Sequence, residues 1–516
     1  MAFARARPGS LSVWAAALLT GLAVAATTAI ARGGPDRPSF VLIVTDDEDV
    51  AIHEFMPKTR ALIEDQGARF QNFFVSYPFC CPSRASILRG QYAHNTGLVG
   101  NEPPWGGYEM FHELGLEGST LATWLQDAGY RTAMVGKYLN RYVPARDGVP
   151  AGWSEWYVGG NAHASYGYAL NENGRVVQYG DAPADYLNDV LTRKAVQVVR
   201  RAARAGDPFF LYVLPYIPHS PSMAAPRHAD LFAQAKLPRG PAFDEADVGD
   251  KPALIRALPR LDGARMAGLE AEYRRRLRSL QAIDDMVERL IGTLEANGVL
   301  DETYVIYSSD NGFHMGEHRL PAGKVFPYEE DIRVPFAIRG PGIPEGRVVE
   351  ALAVNIDIAP TIAALAGVEL PDVVDGRSLL PLLVGSPSAW RTSFLIERQQ
   401  LETQIRKLAE RQGMTPGQIE RAAVFRGLRT VDSVYVEHAT GERELYDLSA
   451  DPHQLANLAG EAEPALLAAL SARLSELATC AGAECRRLED LPIAPALRLV
   501  TEEPSGGALT PAAAQN

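Results

Sequence analysis

Short apolar runs alternate with longer amphipathic segments through the first three quarters of the chain. The apolar or β-branched runs cover 40–44, 132–135, 209–214, 304–307 and 334–338. Helical periodicity covers 56–66, 269–297 and 356–366, and Asn297 with Gly298 ends the longest of these in a C-cap pattern. Because strands without polar alternation are buried on both faces, these runs indicate a parallel sheet with helical crossovers. The pattern predicts an α/β fold with a large, mixed but mostly parallel sheet flanked by helices.

The pattern changes near residue 397. A polar helical segment is predicted at 401–412, strands at 425–430, 433–437 and 445–448, and a helix at 464–477. These elements predict a smaller C-terminal subdomain with an antiparallel sheet. The predicted limits are 32–396 for the catalytic domain, 397–492 for the subdomain and 493–516 for a disordered tail.

The first 31 residues are typical of a secretory signal peptide. Arg5 and Arg7 precede an apolar stretch, and Ala29 and Ala31 supply the small residues of a cleavage site. The alternative is an uncleaved membrane anchor, since the stretch is almost long enough to span a bilayer. Its weak Ala/Thr hydrophobicity favours cleavage. We therefore expect a secreted or periplasmic protein with no stable membrane span after cleavage.

Composition narrows the class further. The 516 residues are 47% apolar and 22% charged, which excludes collagen-like, coiled-coil and wholly disordered chains. The formal net charge of −13 argues against a nucleic-acid partner, because phosphate backbones require a basic surface. Of the four cysteines, Cys480 and Cys485 flank a short polar turn and indicate a small disulfide loop, with two free thiols as the alternative.

Two acidic clusters follow predicted strands that are far apart in the sequence. Asp46 and Asp47 follow the first strand, and Asp310 and Asn311 follow the strand at 304–307. Ligands of open α/β sheets bind beyond the carboxyl ends of the strands. An all-oxygen set points to Ca²⁺ or Mg²⁺ rather than Zn²⁺. Either cluster alone could instead be a loop or a helix cap.

The adjacent cysteines open the most informative segment of the chain. Pro82 fits the first turn of a helix, so Cys80 lies at a helix N-terminus, where an anion or a reactive thiolate is favoured. The pattern Cys-x-Pro-Ser-Arg from Cys80 to Arg84, followed by three residues, Leu, any residue and Gly, resembles the signature of the sulfatase family. That resemblance implies oxidation of Cys80 to formylglycine by a formylglycine-generating enzyme. Arg89 stands where the family usually has Thr.

Further blocks resemble the same family in the same order along the chain. They are Asp46-Asp47, 136–140, 218–221, 309–312, Lys324 and the segment 445–458. The double cysteine, Lys-Tyr-Leu-Asn at 137–140 and Pro-His-Ser-Pro at 218–221 are most similar to N-acetylglucosamine-6-sulfatases and extracellular heparan-sulfate endosulfatases. The resemblance implies the alkaline-phosphatase-like architecture.

The resemblance also implies a role for each matching residue. The implied ligands of Ca²⁺, or of Mg²⁺ as the alternative, are Asp46, Asp47, Cys80, Asp310 and Asn311. The implied catalytic residues are Cys80, Arg84, Lys137, His219 and Lys324, and His314 is expected to contact substrate. Taken singly, the lysines could be solvated and His219 could cap a turn. Many arylsulfatases carry Lys-x-His at the first lysine, whereas Leu139 stands here, so the base for sulfate release remains open between Asn140, a carboxylate and water.

The function expected from these motifs is hydrolysis of a sulfuric ester. The expected substrate is a sulfated carbohydrate resembling N-acetylglucosamine 6-sulfate, or an aryl sulfate. The alternatives are a phosphate or phosphonate ester hydrolase of the same superfamily and an inactive sulfoglycan-binding protein. Specificity is expected in loops at 153–168 and 222–262. The aromatic residues of the first loop could stack on sugars or belong to the core: Trp153, Trp156, Tyr157, Tyr166 and Tyr168.

Overall fold

The computed structural model describes residues 37–160, 163–399 and 424–493. The predicted signal peptide, the predicted helix at 401–412 and residues 494–516 of the predicted tail lie outside these ranges. Within the described residues, no helix combines the length and the apolar character needed to cross a membrane.

The centre of the molecule is a ten-stranded mixed sheet. Its strands are β1 (Ser39–Thr45), β2 (Ala68–Phe70), β4 (Arg131–Lys137), β5 (Glu155–Gly159), β6 (Ala169–Glu172), β7 (Arg175–Gln178), β8 (Phe209–Leu214), β9 (Thr303–Ser309), β10 (Phe336–Arg339) and β11 (Arg347–Val349). The strand order is β11-β2-β10-β9-β1-β8-β4-β5-β6-β7. Strands β9, β1, β8, β4 and β5 run parallel, whereas β10, β6 and β7 pair antiparallel with their neighbours. The predicted mostly parallel sheet is confirmed.

A second, antiparallel sheet lies towards the C-terminus. Its strands, in order, are β13 (Ser393–Arg398), β14 (Phe425–Thr430), β15 (Ser433–His438) and β16 (Arg443–Asp447). The short strands β3 (Phe73–Phe74) and β12 (Ala353–Val354) form a separate parallel pair. The predicted antiparallel subdomain is therefore present, and its first strand spans the boundary expected between 396 and 397.

Helices cover both faces of the large sheet and one face of the small one. The α-helices are Val50–His53, Pro57–Thr59, Cys80–Arg89, Ala93–Thr96, Gly107–Glu113, Leu121–Asp127, Leu187–Ala205, Ala253–Arg256, Gly263–Ala296, Glu329–Ile332, Ile358–Ala366, Leu380–Val384, Pro464–Leu477 and Ala483–Asp490. A π-helical turn, Arg60–Glu64, continues the second of these. Short 3-10 turns occur at Leu116–Gly118, Pro183–Asp185, Pro226–His228, Leu300–Glu302, Asn355–Asp357 and Leu458–Gly460.

Alternation along β1 divides the core into two layers. Val41 and Ile43 point to one face, where the helices Leu187–Ala205 and Gly263–Ala296 cover the sheet. Phe40, Leu42 and Val44 point to the opposite face, which is covered by helices that include Cys80–Arg89. Both faces are apolar because a central parallel strand is buried on both sides. Helix Cys80–Arg89 is thereby fixed against the sheet beside the carboxyl end of β1.

The aromatic residues of the predicted specificity loop are mostly core residues. Trp153, Trp156, Tyr157 and Tyr168 are buried within the two main hydrophobic clusters, and Tyr166 packs against one of them. Much of the segment forms β5 and the start of β6, which extend the sheet. These side chains stabilise the fold rather than present sugar-stacking surfaces.

Candidate active site

The carboxyl ends of four neighbouring strands bring the predicted acidic clusters together. Strands β1 and β9 are parallel and in register from Ser39 opposite Thr303 to Thr45 opposite Ser309, so the residues that follow them meet at one edge. The Asp47 backbone N–H donates to Asp310 Oδ1 over 3.1 Å. Asn311 Nδ2 donates to Asp47 Oδ1 over 2.8 Å. The two clusters therefore form one polar pocket.

Helix Cys80–Arg89 forms a second wall of this pocket. Cys80 is its first residue, and Arg84 lies one turn later on the same face, as the i, i+4 spacing requires. Cys80 Sγ lies 3.8 Å from Asp46 Oδ1, and Arg84 Nη2 donates to that same oxygen over 2.9 Å. Arg84 also forms an ion pair with Asp310, so one buried guanidinium bridges the two acidic clusters.

The two predicted lysines converge on the same carboxylates. Lys137 ends β4, and its Nζ lies 2.5 Å from Asp46 Oδ2. Lys324 forms an ion pair with Asp47, and its Nζ donates to Cys80 Sγ over 2.8 Å. Neither lysine is a solvated surface residue, since Lys137 is buried and Lys324 is mostly covered.

Two histidines face the acidic residues from the neighbouring strand β8 and from a loop. His219 follows β8, its Nδ1 donates to the Ser220 carbonyl over 2.7 Å, and its Nε2 lies 3.7 Å from Asp47 Oδ2. His163 Nε2 lies 3.9 Å from Asp46 Oδ2, and the two imidazole centroids are 4.5 Å apart. His163 Nε2 is buried and has no hydrogen-bond partner among the described residues.

Sequence reasoning missed His163. It lies in a loop without a motif or a metal-ligand spacing, and only the tertiary structure places it beside Asp46. The Tyr216 ring meets the His163 ring edge-on at 5.5 Å, so the imidazole is held from a second side. No local pattern in the sequence would have identified it.

Three further histidines, of which only His314 was predicted to contact substrate, occupy supporting positions. His314 Nδ1 lies 2.7 Å from Asp331 Oδ1, and its backbone pairs with Gly323, directly before Lys324. His318 Nδ1 is bonded to Glu245, and His94 Nδ1 is bonded to Glu397 away from the pocket. His314 therefore supports the lysine loop, and its expected contact with substrate stays a prediction.

The two departures from the family pattern have structural explanations. Leu139 is buried in the hydrophobic cluster on one face of the large sheet, so this position gives the pocket no imidazole. Arg89 lies at the far end of its helix and donates to the Leu116 carbonyl over 2.9 Å. The change at position 89 is therefore distant from the pocket.

Burial and paired charges set the protonation of the pocket. Burial alone would raise the pKa of Asp46, but the charges of Lys137 and Arg84 hold it well below its ordinary value. For Asp47, burial is likewise outweighed by Lys324, which lowers the pKa. At Asp310 the effect of burial exceeds that of the Arg84 charge, so the pKa of this carboxyl is raised. The pocket thus holds carboxylates in unequal environments.

The cysteine is not a reactive thiolate. Burial, reinforced by the charges of Asp310 and Asp46, raises the pKa of Cys80 to about 12, although Lys324 and Lys137 oppose this shift. The thiol is therefore protonated at neutral pH and is a poor nucleophile in that form. The direction of this shift does not support the alternative of a low-pKa thiol at position 80.

The donor set of the pocket fits a hard divalent cation. One ligand atom each from Asp46, Asp47, Cys80 and His219 lies within 4.8 Å of the others. Asn311 Oδ1 is buried and has no hydrogen-bond partner among the described residues, which is costly unless a ligand binds it. Carboxylate and amide oxygens are the ligands that Ca²⁺ and Mg²⁺ prefer.

Known proteins are similar to most of this chain. The sulfatase family model matches residues 38–368. An arylsulfatase from Volvox carteri is 36% identical over 510 residues, which covers 90% of this chain and 78% of the relative. The N-acetylglucosamine-6-sulfatase of Homo sapiens is 35% identical over 481 residues, which covers 88% and 86% respectively.

Solved structures resemble the whole described molecule. The structure of BT4656 in complex with its substrate D-glucosamine-2-N,6-O-disulfate has a TM-score of 0.70 at 25% identity and covers 88% of this chain and 99% of that one. A phosphonate monoester hydrolase from Silicibacter pomeroyi has a TM-score of 0.67 at 26% identity and covers 85% and 94%.

Proposed function

The chain belongs to the sulfatase family and is a sulfuric-ester hydrolase, and from this premise we propose that it removes sulfate from a sulfated carbohydrate resembling N-acetylglucosamine 6-sulfate. A small aryl sulfate is the simplest substrate of the same chemistry. The observation that supports this most is the position of residue 80. Its side chain lies 2.8 Å from Lys324 Nζ and 3.8 Å from an Asp46 oxygen, among the metal donors.

The residues that would hold the cation are Asp46, Asp47, Asp310 and Asn311, together with the side chain at position 80. Bound Ca²⁺, with Mg²⁺ as the alternative, supplies positive charge that polarises the sulfate ester. Formylglycine made from Cys80 by a formylglycine-generating enzyme supplies an oxygen nucleophile that the protonated thiol does not.

The cations of the pocket bind and orient the ester. Arg84 fixes the orientation of Asp46 and Asp310 through its buried bridge. Lys137 and Lys324 neutralise negative charge on the sulfate oxygens, where buried ammonium groups act more strongly than they would in water. Lys137 pairs with Asp46 and Lys324 with Asp47, so each carboxylate has its own ammonium group beside the proposed sulfate site.

His219 is the proposed proton donor to the leaving alcohol. Because the Ser220 carbonyl accepts from Nδ1, that nitrogen carries a proton and Nε2 is the nitrogen that exchanges one. The side chain is partly exposed, whereas Asp47 beside Nε2 is buried, so the imidazole lies between the buried carboxylates and solvent.

His163 supplies the second imidazole that Leu139 cannot. Its Nε2, which has no hydrogen-bond partner among the described residues, lies beside Asp46, and its ring is held against His219 and Tyr216. Burial and the charge of Lys137 lower the pKa of His163 to about 2, so the imidazole is neutral in the free enzyme. Proton uptake by His163 therefore depends on the negative charge of the bound sulfate, which opposes that shift. We therefore propose His163 as the base for sulfate release, in place of Asn140, a carboxylate or water.

Hydrolysis of a phosphonate or phosphate ester is the second candidate. It is favoured by one observation, the similarity to the phosphonate monoester hydrolase over 85% of this chain. The tetrahedral anionic groups of the two substrate classes would occupy the same pocket. A phosphate monoester carries more negative charge than a sulfate ester, but a phosphonate monoester carries the same single charge. Only rates on all three classes distinguish them.

Initial rates on an aryl sulfate, an aryl phosphate and an aryl phosphonate test the proposal. We expect the largest kcat/KM on the sulfate, loss of activity in the Cys80→Ala variant, and loss on chelation with recovery on adding Ca²⁺. Chelation should also lower the melting temperature, because a ligand that binds only the folded state stabilises it. A dominant phosphatase or phosphonatase activity would instead establish the second candidate.

We also propose that the protein is exported through its signal peptide at 1–31 and works in an oxidising compartment. The disulfide between Cys480 and Cys485 supports this, since such bonds persist outside the cytosol. The disulfide that the sequence predicted at these residues is confirmed, and the alternative of two free thiols is wrong.

A further inference from the structure

One side of the pocket rim is built from two segments that contact the catalytic elements directly. Asn101 Oδ1 accepts a hydrogen bond of 2.9 Å from the Cys81 backbone N–H. The Tyr108 N–H donates to the Asn140 carbonyl over 2.7 Å, three residues after Lys137. The loop 100–107 therefore lies between the N-terminus of helix Cys80–Arg89 and the segment that leaves β4.

This loop presents an aromatic side chain at a fixed position. A bridge between Gly100 and Gly106 closes the loop, and the Val99 N–H donates to the Trp105 carbonyl over 2.8 Å. Trp105 is 50% exposed, whereas Trp153 and Trp156 are buried. Its ring has no aromatic partner among the described residues. A large, half-exposed ring on a rigid backbone next to an active site is a surface on which a sugar can stack.

The second segment presents a guanidinium beside the same loop. Arg141 adopts a φ of 72°, a left-handed conformation that is uncommon for any residue other than glycine. A Cβ at Gly107 would lie 3.2 Å from Arg141 Cγ, so the arginine stem rests on the loop where only glycine leaves room. Arg141 Nε is 3.8 Å from Glu109, beyond a hydrogen bond, and Arg146 donates to that carboxylate over 3.1 Å.

The Arg141 side chain is thus only loosely engaged. It is 52% exposed, and an exposed pair at this separation contributes little free energy. On a protein with a formal net charge of −13, a weakly held guanidinium four residues after Lys137 is a local attraction for an anion. Arginine also matches the fork geometry of sulfate and carboxylate groups.

We propose that Trp105 and Arg141 form a subsite for the sugar that adjoins the one whose sulfate is cleaved. Trp105 stacks on the ring of that sugar, and Arg141 binds a second sulfate or carboxylate on it. This inference rests on the proposed function and narrows it. The substrate class is an oligosaccharide with at least two anionic groups, rather than a monosaccharide or an aryl ester.

Rates on two substrates distinguish the contribution of this subsite from that of the catalytic pocket. The Trp105→Ala, Trp105→Phe and Arg141→Ala variants are compared with the unaltered enzyme on a doubly sulfated disaccharide and on a single-ring aryl sulfate. The measured quantity is the ratio of kcat/KM for the disaccharide to kcat/KM for the aryl sulfate. Arg175→Ala, an exposed arginine on the edge strand β7, is the matched control.

We expect Trp105→Ala and Arg141→Ala each to lower this ratio about tenfold, mainly through KM, which corresponds to the loss of one stacking or charged contact. Trp105→Phe should retain most of the ratio, and Arg175→Ala should leave it unchanged. Equal melting temperatures exclude misfolding. The subsite would be overturned if both alanine variants kept the ratio unchanged, or if they lost activity equally on both substrates. It would also be overturned if the unaltered enzyme cleaved the aryl sulfate but not the disaccharide. Failure of the unaltered enzyme on both sulfates would instead overturn the proposed function.

Discussion

Single residues determine which groups can donate or accept a proton in the pocket. Leu139 is buried in the hydrophobic core, while His163 brings an unpartnered imidazole nitrogen to 3.9 Å from Asp46. The His163 ring also lies against His219, so two imidazoles share one side of the pocket. A site that must both protonate a leaving group and take up a proton has use for two such groups.

His163→Ala should therefore lower kcat on an aryl sulfate about 100-fold, the usual size of an acid–base contribution. His112→Ala, which removes an exposed histidine paired with Glu117, is the matched control and should keep full activity. Steady-state rates at saturating substrate give the comparison. If His163→Ala retained the original kcat, the assignment of this histidine would be wrong.

Among the site residues, the sequence predicted those that belong to a strand pattern, a helix pattern or a motif. Asp46 and Asp310 follow continuous apolar strands, and Cys80 and Arg84 share one helix face, so their convergence could be expected from the order of residues alone. His163 could not be predicted, because a loop brings it to the pocket through tertiary contacts alone. Trp105 likewise carries no motif, and only its exposure beside Asn101 distinguishes it from core tryptophans.

At the scale of elements, a buried network of charged side chains connects the residues that follow β1. Asp49 accepts from the backbone N–H groups of Ala51 and Ile52 and so caps helix Val50–His53. His53, at the end of that helix, lies 2.7 Å from Glu48 and 2.6 Å from Glu64. Burial would lower the pKa of His53, but its bonds to Glu48 and Glu64 raise it to about 10. The imidazole is therefore charged in the folded protein at neutral pH.

This charged histidine should make the stability of the protein dependent on pH. Since the pKa of 6.5 in the unfolded chain rises to about 10 on folding, the stabilisation is complete below pH 6.5 and is lost as the pH rises towards 10. His53→Gln should accordingly lower the free energy of unfolding by about 3 kcal/mol at neutral pH, because it leaves buried carboxylates unpaired.

Urea unfolding of both proteins at pH 6, 8 and 10 measures this difference. The difference should be largest at pH 6 and smallest at pH 10. A difference that stayed constant over this range would show that His53 stabilises the turn without carrying a charge.

The elements that periodicity predicted are those with a continuous apolar pattern. Strand β8 and helix Pro464–Leu477 have the predicted bounds, and β10 begins after Pro335, which has no N–H to donate to a neighbouring strand. Helix Gly263–Ala296 starts earlier than predicted because Asp262 caps it by accepting from the Arg265 N–H. The edge strand β7 was missed, since its mostly exposed residues carry no apolar signal.

At the scale of the whole molecule, the small sheet is joined to the catalytic core by a hydrophobic cluster and a buried ion network. Phe394 and Leu470 share a cluster with Phe74 from the core. Arg391 binds Asp357 over 2.8 Å, in front of helix Ile358–Ala366, and Glu489 over 2.8 Å in the last helix. Nothing in the local sequence pattern indicates these pairings, because the partners lie far apart along the chain.

Arg391→Met should destabilise the whole molecule, because it leaves buried Asp357 without its cation and Glu489 with Arg377 alone. We expect the free energy of unfolding to fall by about 3 kcal/mol. The exposed pair of Arg265 and Asp262 offers the control. Arg265→Met should change the free energy of unfolding by less than about 0.5 kcal/mol. Equilibrium unfolding in urea gives both values, and equal effects of the two substitutions would contradict a role for the network.

The catalytic account rests on the chemical state of residue 80, so the mass of one peptide tests it most directly. The protein is produced in a host that contains a formylglycine-generating enzyme, is shown to hydrolyse an aryl sulfate, and is digested with trypsin. We predict that the peptide ending at Arg84 carries an aldehyde at position 80 and an unmodified thiol at Cys81. An active enzyme whose peptide retains the thiol at position 80 would contradict the account.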